Sequence, residues 1–104
     1  MTIVLDPKKL KELSLKSYME NKQIIYEILD SYKHRILRNM EDAAVKGRSS
    51  CYCTFFKGEL DHMSKKANNL PYIDCIAFIV EWFEEQGFEI LKFSEDGKFC
   101  ISWF

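Results

Sequence analysis

Two cysteines one residue apart, Cys51-x-Cys53, are the closest approach to a chemical motif in this 104-residue chain. Cys75 and Cys100 lie further on, and His62 follows Cys53 by nine residues. Zinc is held by four thiolate or imidazole ligands in a tetrahedron, usually from pairs set in turns. Cys51 and Cys53 would share one face of a strand, but no second pair matches them, so small side chains packing under a helix is the better reading. A cysteine nucleophile needs a neighbouring base and an exposed, electropositive setting. Cys75 sits inside an apolar run and Cys100 in mid-strand, while His34 is flanked by Lys33 and Arg35 with no partner in view. Glu81, Glu84 and Glu85 are clustered near the end of a helical segment. Paired carboxylates can do acid–base work, yet such a cluster is more simply the wet face of an amphipathic turn. No glycine-rich phosphate loop occurs, since Gly47, Gly58, Gly87 and Gly97 each fall at the end of an element. No catalytic, cofactor or metal residue is assigned.

Nucleic-acid binding is the main alternative chemistry. Lys33, Arg35, Arg38, Lys46 and Arg48 form a basic stretch, and the order helix–strand–helix–hairpin overlaps that of a winged helix. Two features oppose it. The helix in the recognition position is apolar and carries acids without any Lys or Arg, and the hairpin tip Ser94-Glu95-Asp96-Gly97-Lys98 holds more acid than base. Any such contact would be non-specific, and nucleic acid is the weaker partner class.

The elements that would position these groups can be read from periodicity and punctuation. Asp6-Pro7 starts a helix, Asp as cap and Pro in the first turn. Apolar residues from Leu10 to Ala43 then recur at steps of three and four, densest over residues 21–45, with a blurred stretch at residues 15–18 that could mark a break. Gly47 ends it. Residues 49–56 read as a strand stopped by Gly58, and residues 59–69 as a polar connection with one short helical turn near residues 60–63. Asn69-Leu70-Pro71 opens a second helix by cap-plus-proline logic, running over residues 72–86 to Gly87. It is apolar nearly all round, so it needs cover on more than one side. Residues 88–94 and 98–104 form a β-hairpin. A three-residue loop with Gly97 in the left-handed region pairs Phe93 with Phe99 and Leu91 with Ile101, collecting the apolar residues on one face.

The expectation is one α+β domain over residues 1–104. Residues 1–20 would form a helical extension and residues 21–104 a compact module, with a three-stranded antiparallel-type sheet packed on helices. No stretch approaches the ~18 apolar residues of a membrane span. Met1 to Leu5 is too short an apolar patch for a signal peptide, so a cytoplasmic location with reduced thiols is expected.

Charge and aromatic content suggest the task. Net charge is −1, but residues 1–57 hold 11 Lys+Arg against 7 Asp+Glu, and residues 58–104 hold 4 against 9. That polarity suits head-to-tail contact. Aromatics are 14% of the chain, and the end is Trp103-Phe104. So much apolar surface in a 12.3 kDa chain points to an interaction surface. The expected contact residues are Tyr18, Ile25 and Tyr32 on the long helix together with Trp103 and Phe104, for another protein or a second copy in a homo-oligomer.

The stretch Ile36-Leu37-x-x-Met40-Glu41-x-Ala43-Ala44-x-x-Gly47-x-Ser49-Ser50 precedes an apolar helix closing Glu84-Glu85-x-Gly87-Phe88. Asp96-Gly97 and Ile101-Ser102-Trp103 follow. Over residues 30–104 this resembles small accessory proteins of phages and large DNA viruses with a helix–strand–helix–hairpin layout ending in Ile-Ser-Trp. The resemblance implies a viral, non-enzymatic role, as a virion component or a binder of a host or viral protein, and it carries over no site residues.

Overall fold

A computed structural model describes residues 6–104. Four helices and three strands follow in the order α1 Pro7–Ser31, α2 Lys33–Val45, β1 Ser50–Thr54, α3 Lys57–Lys66, α4 Tyr72–Glu85, β2 Glu89–Phe93 and β3 Lys98–Ser102. The fold is α+β, with an antiparallel sheet packed on helices, as its sequence pattern predicts. The first five residues of the expected N-terminal extension lie outside the described residues.

Asp6 starts α1 as expected, its carboxylate accepting from the backbone N–H groups of Lys8 and Lys9. The helix passes through residues 15–18 without interruption and breaks instead at Tyr32, inside the most regular part of the pattern. There the Tyr32 N–H bonds back only three residues to the Leu29 carbonyl, and the Ser31 hydroxyl donates to the Ile28 carbonyl. A hydroxyl competing for a helix carbonyl in this way bends a helix. The bend lets Ile25 and Leu29 of α1 and Ile36 and Met40 of α2 enter one core.

The segment between β1 and α4 corrects the expectation of a polar connection. It is a ten-residue helix, α3, whose Leu60 and Met63, with Ala67 just beyond, form a single buried stripe. Glu59 accepts from the Phe56 N–H and so closes its N-terminus. Asn69 does not cap α4. Asn68 and Asn69 both take left-handed backbone (φ 60° and 59°), and the helix starts after Pro71 without a side-chain cap.

β3 is the central strand, between β1 and β2. Phe93 pairs with Phe99 across a three-residue loop in which Gly97 has φ +91°, as its sequence predicts. Leu91 does not pair with Ile101. A bulge between Ile90 and Lys92 sets Ile90 opposite Ile101 and leaves Leu91 half exposed. The cause is spacing, because Phe88 and Ile90 pack on the core two apart, while Phe93, half exposed, stacks on Phe99 three further on. One extra residue must be absorbed. Phe99, Ile101 and Cys53 join the helices in the core, whereas Tyr52, Lys92, Lys98 and Cys100 line a shallow hollow on the sheet's other face.

The molecule is elongated, 68 × 26 × 21 Å, with a radius of gyration of 16.7 Å against about 13 Å for a compact chain this long. No described helix is long and apolar enough to cross a membrane.

Candidate functional site

The expected contact residues do not form one patch. Ile25 is 0% exposed and belongs to the core, because it lies at the centre of the α1 face that meets the other helices. Tyr32 is half-buried at the α1–α2 joint, its ring 6.2 Å from that of Phe55 and covered by the Arg35 guanidinium at 4.8 Å. Trp103 packs on the core edge and its backbone N–H donates to the Ser49 carbonyl, leaving Phe104 exposed beyond it. Tyr18 alone borders a groove.

That groove runs between α1 and α4 and encloses about 610 Å³, lined by Ser14, Ser17, Tyr18, Asp74, Ala77 and Phe78 among others. The two helices run side by side in the same direction. Tyr18 lies against Phe78 with ring centroids 5.1 Å apart, and its hydroxyl donates to Glu81 at 3.0 Å. One turn on, Lys22 Nζ bridges Glu81 and Glu85 at 3.0 and 3.2 Å. Burial, then the Glu81 bond, pushes the Tyr18 hydroxyl above its ordinary pKa. The Tyr26 hydroxyl is enclosed with no hydrogen-bond partner in bonding geometry among the described residues, and burial together with the facing Glu85 carboxylate raises its pKa strongly. Two of the three clustered glutamates are thus engaged as partners of Lys22, a helix-to-helix clamp, while Glu84 is exposed and has no ion-pair partner among the described residues.

α1 outruns this groove. Every residue from 7 to 16 is exposed, and Asn21 is the first buried residue of the helix. Leu10, Leu13 and Leu15 are 57%, 60% and 63% exposed on this arm, which carries Lys8, Lys9, Lys11 and Lys16 against Glu12 alone. α4 offers the complement. Its buried residues face the core and Val80 packs partly buried against it, while Ile73 and Ala77 form a short outward stripe one turn apart, beside Asp74, Glu81 and Glu84. Ile73 is half exposed.

No protein-family model, characterised protein or solved structure matches the chain. Its function must therefore be argued from these surfaces.

The basic stretch is dispersed. Arg35 is committed to Glu59 at 2.7 Å and to the Tyr32 and Phe55 rings. Lys46 and Arg48 stand at the C-terminal end of α2, where a positive charge complements the helix dipole and their own N–H groups cap the Ala43 carbonyl. Lys33 and Arg38 are exposed on α2. The cysteines are distributed as packing residues: Cys53 and Cys75 are buried, and burial pushes their thiols up to about 12 and about 11, respectively. Such thiols are poor nucleophiles. Among the described residues no group of three or more His, Cys, Asp or Glu side chains is placed to hold a metal ion.

The arm leucines and the α4 stripe were not singled out by sequence. Leu10 and Leu13 obey the same period as the core residues after them, so periodicity alone assigns them to the core. The signal that separates them is the lysine density around them and the absence of any basic residue in α4.

Proposed function

We propose that the protein is a non-enzymatic docking module whose working surface is the α1 arm together with the α1–α4 groove and the outward stripe of α4. The observation that carries this reading is the arm itself, more than two turns of helix on which Leu10 and Leu13 share one exposed side and Leu15 is exposed on another, with none of them covered by any described part of the chain. Exposed apolar surface costs roughly 25 cal/mol per Å² relative to burial, and contiguous patches of it mark interaction sites. Helix-on-groove docking uses this arrangement, with apolar anchors at helical spacing and charges at the rim. The short motifs resembling phage and large-virus accessory proteins support a viral setting, as a virion component or a binder of a host or viral protein.

The test is site-specific photo-crosslinking from position 13 in a native lysate, with exposed Lys65 on α3 as the control position. Discrete adducts from position 13, lost in a Leu10→Glu, Leu15→Glu background, are the expected result. Equal or absent labelling at the two positions would remove the docking reading.

A further inference from the structure

Building on that docking reading, we infer that the groove's occupant is the arm of a second copy of this chain, the two copies exchanging arms about a two-fold axis near Ser14 and Ser17. Charge decides the partner. Residues 7–16 hold four lysines and one glutamate, whereas α4 holds Asp74, Glu81, Glu84 and Glu85 with no Lys or Arg. Within one chain Lys22 pairs with Glu81 and Glu85, but among the described residues no arm lysine pairs with Asp74 or Glu84, because α1 runs parallel to α4 and carries its first turns past the end of the groove. Antiparallel placement of a second α1 reverses that. It brings Leu10 and Leu13 of one copy over Ala77 and Phe78 of the other, with Lys8 and Lys11 beside Asp74 and Glu84. The residues at the crossing are small, Ser14 and Ser17 on α1 and Ala77 on α4, so the helices can approach closely. The contact is self-complementary, each copy supplying one arm and one groove, and so it closes at two.

Sedimentation of the purified full chain over a concentration series tests this. The expected mass at micromolar concentrations is twice the 12.3 kDa chain mass. Lys8→Glu with Lys11→Glu, both exposed, should weaken self-association about tenfold or more by replacing attraction with repulsion. Adding Asp74→Lys and Glu84→Lys to the same chain should restore it, and unchanged far-ultraviolet circular dichroism shows that the variants fold. A monomer at every concentration, or a dimer indifferent to the reversals, overturns arm exchange. If position 13 still crosslinks to a different protein in lysate, the docking reading survives that loss, and if it does not, both fall.

Discussion

Trp82 on α4 donates its indole N–H to the Asp30 carboxylate on α1 at 3.2 Å. The indole is 3% exposed, so this one bond satisfies the only polar atom of a large core side chain and fixes α4 against the end of α1. Asn21 does the same at the other end. It is buried and accepts from the Asn68 amide at 3.0 Å, tying α1 to the left-handed turn that follows α3. Between these two anchors α1 is held, Tyr18 adds a contact to Phe78 and Glu81 one turn earlier, and residues 7–16 are all exposed.

Asp30→Ala strands a buried donor, which costs about 1–3 kcal/mol. Urea unfolding followed by tryptophan emission should show that loss, while Asp30→Asn, whose amide oxygen still accepts, should recover most of it. A fully stable Asp30→Ala would mean that water replaces the carboxylate.

Gly97 joins the hairpin tip to the core. Its carbonyl accepts from the Phe55 N–H at 2.8 Å, its φ is +91°, and a Cβ there would run into the Phe55 carbonyl oxygen. Gly97→Ala therefore combines left-handed backbone strain of about 1 kcal/mol with overpacking of about 1–3 kcal/mol. An expected loss of about 2–4 kcal/mol in equilibrium unfolding compares with a far smaller one for Gly58→Ala, where the backbone is ordinary and the space open.

Stability should fall in alkali. The Cys53 and Cys75 thiols ionise at about 12 and about 11 in the folded chain, above the ~8.5 of an exposed thiol. A raised folded pKa means that the unfolded chain loses its protons first. The stabilisation is complete below the unfolded value and disappears as pH climbs through the folded one. Tyr26 acts with the same sign from about pH 10 upward, its normal range. Asp96, lowered by the Ser94 hydroxyl, bears only on acid conditions. Urea midpoints should decline from about pH 9 to 11, and Cys53→Ala should flatten that decline. A pH-independent midpoint over that range would contradict the buried placement of the thiols.

Much of the fold is legible in sequence because its signals are local. Asp6-Pro7, Gly47 and Gly97 each do at short range what their residue type dictates, and the Phe93–Phe99 pairing follows from an apolar match across a three-residue loop. What sequence hides depends on tertiary contact. α3 looks like a polar connection because its mean hydropathy is low, and only Leu60, Met63 and Ala67, brought against α4 and α1, justify a helix there. The break at Tyr32 rests on a Ser31 hydroxyl that periodicity cannot register. Ile25 and Leu10 illustrate the difficulty at the candidate site. Both lie on the inward side of one helix by spacing, yet one is enclosed and the other bare, because α4 begins too late to cover the second.

The most direct measurement is the unfolding free energy, at high dilution, of the Leu10→Ser, Leu13→Ser, Leu15→Ser chain. Arm leucines reserved for a partner leave it within about 0.5 kcal/mol of the parent, whereas Ile25→Ala in the core loses about 2–5 kcal/mol. A loss in the triple variant comparable to that of Ile25→Ala would mean that the arm packs within its own chain, and the docking account would be contradicted.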